Sequence, residues 1–153
     1  MEIREIVDGG EILRWRELTL REVFHLPPDY DMSHLLAANA EYLSQDEECF
    51  VMVEGVETEG EGGLKIGCGA ICLQRELPSP DNPTGLVAYI MNIYVVPVFR
   101  RHGFGHGIVR HLVELASRRG VGKIMLETTK EAHSLYAGLG FKPADGYIVK
   151  FLE

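Results

Sequence analysis

Tyr94-Val95-Val96-Pro97-Val98-Phe99-Arg100-Arg101-His102-Gly103-Phe104-Gly105 decides how the rest of the chain is read. An apolar run ends at a proline, which cannot donate to a sheet ladder. A basic turn with two glycines follows, and a helical pattern begins. Glycine lets the backbone approach a ligand closely. A helix start adds free N–H groups and the positive end of the helix dipole. Together these describe a cradle for phosphate. It is not a P-loop, because no Gly-Lys-Ser/Thr closes it. It meets the dinucleotide fingerprint only in part: an acid is available about 20 residues on, near Lys123 to Glu127, but Arg100 and the proline do not belong to that pattern.

Upstream of the turn, Leu86 to Val96 is apolar on both parities, the mark of a central strand covered on both faces. Downstream, Phe104, Ile108, Leu112 and Leu115 share one helix face, with Arg110, Glu114 and Arg118 opposite and Gly120 and Gly122 as the stop. Lys123 to Thr128 reads as a strand and Glu131 to Ala137 as a short helix ended by Gly138-Leu139-Gly140. Phe141 and the run Tyr147 to Leu152 are expected to supply closing strands.

The front half alternates differently. Ile3 to Val7 is a short first strand. Gly10 to Phe24 is an amphipathic helix through Leu13, Leu20 and Phe24, ended by Pro27-Pro28. Ser33 is the expected cap of a second helix with the stripe Leu36, Ala40 and Leu43. Cys49 to Val56 and Leu64 to Gln74 flank the acidic, glycine-rich turn Glu57 to Gly63 and form a hairpin. Pro78, Pro80 and Pro83 mark a loop. The order is α/β of the α+β type, with an antiparallel front half and one strand–helix–strand unit, and not the repeated alternation of a doubly wound fold.

The chain has 153 residues, 46% of them hydrophobic, which fits one domain over residues 1–153. No apolar run reaches membrane-spanning length and no leader pattern is seen, so a cytoplasmic protein is expected. The net charge of -8 argues against nucleic acid or an anionic membrane as partner. Arg100-Arg101-His102 is a basic island on that acidic background. Cys49, Cys68 and Cys72 cannot all pair, and buried free thiols are the expectation. His102 and His106 lie across a glycine turn, so no metal site is expected.

Arg100-Arg101-His102-Gly103-Phe104-Gly105 fits the Q/R-x-x-G-x-G/A signature and so resembles the GNAT superfamily of N-acetyltransferases. The lead-in Ile93 to Pro97 is similar to that family. So is Leu135-Tyr136-Ala137-Gly138-Leu139-Gly140-Phe141, which resembles its L-Y-x-x-x-G-F element. The likeness is specific from about Leu86 to Phe141 and elsewhere one of layout only. It implies a mixed, mostly antiparallel sheet of six to seven strands, flanked by about four helices and splayed between its fourth and fifth strands. It implies acetyl-CoA as cosubstrate. Ile93, Tyr94 and Val95 would meet the pantetheine and acetyl carbonyl. The Arg100 turn, with Arg101, His102, Gly103, Phe104, Gly105 and His106, would surround the pyrophosphate, mostly through backbone N–H.

Acetyl transfer needs a neutral amine, stabilisation of the carbonyl oxygen and a proton for the leaving thiolate. Tyr136 matches the family tyrosine that is the general acid. Glu127 stands where some members place a carboxylate near the amine, and is equally a solvent-facing residue paired with Lys123 or Lys130. Glu47 and Glu48 are alternative bases. Asn92, an amide inside an apolar strand, either orients the acceptor or a water or satisfies a strand bulge. Val98 departs from the family pattern, where an acid is common. The Glu127 to Tyr136 segment is short and lacks the asparagine of protein N-terminal acetyltransferases. The expected acceptor is a small-molecule primary amine such as a polyamine, an aminoglycoside-like compound or an amino-acid derivative. The alternatives are a non-catalytic acyl-CoA sensor and an enzyme acting on a protein lysine or N-terminus. The two N-terminal helices and the Pro78 to Pro83 loop are expected to build the acceptor cleft. The apolar segment Tyr147 to Leu152 is a protected edge or the interface of a homodimer.

Overall fold

The computed structural model describes residues 1–45, 49–59 and 63–152. Strand β1 (Glu2–Glu5) leads into helix α1 (Gly9–Val23), whose start is set by the Asp8 carboxylate accepting the Glu11 N–H at 2.8 Å. Helix α2 (Ser33–Gln45) follows. Ser33 is not its cap. The Asp31 carboxylate takes both the Ser33 N–H and the Ser33 hydroxyl, a stronger acceptor two residues earlier. Strands β2 (Phe50–Glu57), β3 (Leu64–Arg75) and β4 (Leu86–Val95) come next, then α3 (Phe104–Arg118), β5 (Lys123–Leu126) and α4 (His133–Ala137).

The strands form one sheet in the order β1-β2-β3-β4-β5. The first three pairings are antiparallel, and β4 with β5 is parallel. The mixed fold is as expected, but among the described residues the sheet has five strands, not six or seven. The segment from Phe141 onward forms no regular strand. Strand β5 offers an outer edge of only four residues. Pro143 and Gly146 (φ 103°) break the approach to it, so a lone further strand gains too few ladder bonds to form. The side chains of Tyr147, Ile148, Val149, Phe151 and Leu152 are exposed, although the Tyr147 hydroxyl lies 3.9 Å from the Met125 sulfur.

Helix α3 covers one face of the sheet. Ile108, Val109, Leu112 and Ala116 are fully buried against Val51, Val53, Ile71, Ala88 and Ile90; Ile108 and Leu112 belong to the expected stripe, whereas Phe104 and Leu115 are only half-buried and the buried face turns toward Val109 and Ala116. Each such aliphatic side chain contributes about 1.5–3 kcal/mol on burial. The approach is close because β3 has Gly69 there: a Cβ would stand 2.7–2.9 Å from side-chain atoms of Ile93, Ile108 and Leu112. The opposite face carries α1 through Ile12 and Trp15, packed on Met52, Cys68 and Ala70. The buried Glu54 on β2 ties this layer together. It accepts from Trp15 Nε1 at 3.0 Å and from Arg4 at 2.8 and 2.9 Å, with Lys65 3.4 Å away. Burial pushes its pKa upward most strongly, but the Trp15 and Arg4 hydrogen bonds and the charges of Lys65 and Arg4 together outweigh that. The net position is below the ordinary carboxylate value. Among the described residues, no helix is long and apolar enough to cross a membrane.

Candidate active site

Strand β4 carries an extra residue relative to β3: Cys68 faces Tyr94, yet Ala70 faces Met91. The bulge falls at Asn92, which takes φ 58°, a left-handed conformation that asparagine tolerates better than most residues. The extra residue re-phases the strand. Met91 packs with α1's layer, Ile93 with α3's layer and Tyr94 again with α1's. The Asn92 side chain is buried and accepts a hydrogen bond from Arg16 Nη1 at 3.1 Å, and its backbone carbonyl lies 3.4 Å from the Cys68 sulfur. Cys68 is a buried free thiol, as expected, and burial drives its pKa up to about 12.

Beyond the bulge the sheet opens. The β4–β5 ladder runs only from Val87↔Lys123 to Ile90↔Leu126. On that side of β4, the backbone of Ile93, Tyr94 and Val95 has no strand neighbour among the described residues. The chain then turns through a 3-10 turn (Pro97–Phe99) and passes Arg101 at φ 62° and Gly103 at φ 82° into α3. No side chain caps that helix start. The amides of Phe104, Gly105 and His106 therefore lack partners within the helix, and they stand at its positive end. A Cβ on Gly105 would make ordinary contact with Val95 and Leu135 at 3.6 and 3.9 Å, so packing within the protein does not require glycine there. The donor set, the helix field and the unfilled space fit a pyrophosphate.

The side chains of the turn do other work. Arg100 donates from Nε to the Val95 carbonyl at 2.8 Å, pairs with Glu22 at 2.7 Å and lies 5.5 Å over the Tyr94 ring. It braces the turn against α1 and the end of β4. The His102 ring turns back on the Arg100 carbonyl at 2.6 Å and stacks with Phe104.

Tyr136 on α4 is buried edge-to-face against Phe141, at 5.8 Å between ring centroids, in the core cluster that holds Ile108 and Val109. Burial raises its pKa and keeps the phenol protonated. Glu127 follows β5 and is exposed, beside Tyr89. Burial and then the Glu127 carboxylate push the Tyr89 phenol up to about 12. Glu47 and Glu48 lie outside the described residues.

A cavity of about 520 Å³ adjoins the bulge on the α1–α2 side. Its wall includes Arg16, Asn39, Tyr42, Tyr89, Met91 and Asn92. The Pro78 to Pro83 loop is not part of it, contrary to expectation. That loop is held at the other end of β4, where Asn82 donates to Glu76 and to the Leu86 carbonyl and Lys123 pairs with Glu76. Arg16, Tyr42 and Tyr89 are the residues the sequence reading missed. One signal was available for Arg16: it sits three and four residues from Leu13 and Ile12 and four from Leu20, on the apolar stripe of α1.

An anion cradle, an opened strand edge beside it and an adjoining pocket define a site for transferring a group from a phosphate-bearing donor. The chain matches the model of the acetyltransferase (GNAT) family over residues 11–141 and belongs to that family, whose members are acetyl-CoA-dependent N-acetyltransferases. A probable glucosamine 6-phosphate N-acetyltransferase 2 of Oryza sativa subsp. japonica is 26% identical over 114 residues, 74% of this chain and 66% of that protein. The ribosomal protein bS18-alanine N-acetyltransferase of Escherichia coli strain K12 is 37% identical over 60 residues, 37% of this chain and 40% of that protein. The chain thus spans less than two thirds of the length of these curated relatives. A Clostridium acetobutylicum structure described as a "predicted acetyltransferase with acetyl-CoA" shares the fold, with a TM-score of 0.81 at 23% identity over 98% of this chain and 95% of that one.

Proposed function

We propose that the protein is an N-acetyltransferase that moves the acetyl group of acetyl-CoA to the primary amine of a small molecule. The observation that carries this is the adjacency of three features around Asn92 and Gly103: the uncapped start of α3, the unpaired end of β4 and the partly open cavity beside the bulge. The first-turn amides of α3 and the backbone of Arg101 to Gly103 hold the pyrophosphate, and Ile93, Tyr94 and Val95 hold the pantetheine arm. Bound acetyl-CoA supplies a thioester: the C–N bond to the acceptor forms as the C–S bond breaks, and the sulfur leaves with the electron pair. Tyr136 gives its hydroxyl proton to that sulfur. Its raised pKa keeps the phenol protonated at neutral pH, so that the proton is in place when the thiolate leaves. The acceptor nitrogen gives up its proton toward Tyr89 and Glu127 at the cavity's edge, where Glu127 is the exposed carboxylate that passes it to solvent. Asn92 positions the acceptor end of the site through Arg16 and keeps β4 bulged.

Calorimetric titration with acetyl-CoA followed by thiol-release assays on an amine panel tests this reading. Binding with release on one amine class is the expected result. A protein that does not bind acetyl-CoA overturns it, and tight binding without release on any amine favours a sensor instead. A cavity of small-ligand volume supports a small acceptor over a protein lysine or N-terminus.

A further inference from the structure

The cavity beside Asn92 is mostly apolar, walled by residues such as Ile12, Leu43, Phe50 and Met125. Arg16 is the one charged side chain in its lining among the described residues. Its Nε donates to Asn39 Oδ1 at 3.1 Å and its Nη1 to Asn92 Oδ1 at 3.1 Å. Two of five guanidinium N–H donors are therefore spent, both on neutral amides. No described carboxylate forms an ion pair with it. Burial lowers the Arg16 pKa, and the nearby Cys72 sulfur offsets that only in part. A half-buried cation lining a mostly apolar cavity, oriented from two sides by amides and with no described carboxylate against it, is arranged to take an anion from a ligand.

We infer that the acceptor is an apolar amino acid or close analogue, whose carboxylate meets Arg16 and whose side chain fills the cavity. This rests on the acetyltransferase reading above. Its amine takes the acetyl group, giving an N-acetyl amino acid and CoA thiol. A polyamine fits poorly, since the described lining has no carboxylate for it and Arg16 repels it. A sugar phosphate could meet Arg16 with the same charge chemistry. Its several hydroxyls would then have Tyr42, Gln74 and Tyr89 as partners in a wall that is otherwise apolar, and burying the unpaired ones is costly. The volume is within the roughly 300–1,000 Å³ of small-ligand sites.

The test uses the wild-type chain with acetyl-CoA and matched acceptors. These are L-leucine, L-methionine and L-phenylalanine, each beside its carboxamide, together with spermidine and glucosamine 6-phosphate. The carboxamide amine is the less basic of each pair, so basicity works against the expected preference. Expected is thiol release and an N-acetyl product with at least one amino acid. Its kcat/KM should exceed that of the carboxamide by about tenfold to a hundredfold, the range for a hydrogen bond to a charged group. In Arg16→Gln that ratio falls toward one while acetyl-CoA affinity is kept, and Arg16→Lys lies between. Turnover of spermidine, glucosamine 6-phosphate or the carboxamides in preference to every amino acid overturns the inference and leaves acetyl transfer standing. So does failure of all three amino acids to bind the CoA-loaded protein in calorimetry. Failure to bind acetyl-CoA at all sinks the parent reading instead.

Discussion

The two faces of the sheet are built on different terms. On one, α3 buries four side chains completely and sits so close that Gly69 cannot take a Cβ. On the other, α2 buries none completely, and Leu35 and Tyr42 are largely exposed. Helix α2 meets the sheet across the cavity through Asn39, Tyr42 and Leu43. The donor side thus works with backbone amides fixed by a dense core. The acceptor side works with side chains around a space. Backbone amides recognise any pyrophosphate, whereas a side-chain wall is specific and can be re-cut without disturbing the core.

The sharpest way to break that division is at Tyr136, the one donor-side group with a chemical role. Tyr136→Phe should lower turnover by about 10²–10⁴-fold, the range for a general acid, with acetyl-CoA affinity unchanged in calorimetry. Turnover that survives when chemistry is rate-limiting removes Tyr136 from the mechanism. Next in size, Gly105→Glu should weaken acetyl-CoA binding on the order of a hundredfold or more, because a like charge set against a bound anion costs several kcal/mol. Its melting temperature should hold, since a Cβ there makes only ordinary contacts with Val95 and Leu135 and an acid suits a helix start. A drop in melting temperature would mean that Gly105 serves packing after all.

The acceptor side depends on Glu54 for stability rather than chemistry. Glu54→Gln should cost about 2–3 kcal/mol in urea unfolding, the low side for a severed buried pair because Arg4 and Lys65 reach solvent. The folded pKa of Glu54 is depressed, so its contribution is present in full above the unfolded value. It is lost as pH falls through the folded one. The gap between wild type and Glu54→Gln should therefore hold at neutral pH and close below the ordinary carboxylate value of 4.5. A gap independent of pH would assign the cost to packing. The smallest effect is expected at Tyr89. Tyr89→Phe should change acceptor kcat/KM by less than about tenfold, since water can replace a single relay hydroxyl. A larger loss would make Tyr89 the main proton acceptor.

The legible and illegible parts of the chain divide along the same line. The donor half lies in one continuous stretch. Its strand, proline, basic turn and amphipathic helix carry local signals at fixed spacing, and α3 starts at Phe104 as the pattern requires. The Asn92 bulge was half legible: an amide in an apolar strand pointed to something irregular, and the choice between bulge and site was open. Asn92 stands at the bulge and also holds Arg16; a role toward the acceptor belongs to the proposed function. The closing strands were misread because apolar character at Tyr147 to Leu152 says nothing about whether an edge long enough to receive it exists.

By itself, then, the sequence determined the mixed order of elements, the central strand and the glycine turn into α3, because each depends on neighbours within a few residues and on backbone rules that act locally. Tertiary structure alone decided the acceptor cavity. Arg16, Asn39, Cys72, Tyr89 and Met125 come from α1, α2, β3, β4 and β5, and no spacing in the chain relates them. They meet only because the bulge, the register and the position of α2 bring these five elements to one point with Phe50 and Met52 of β2.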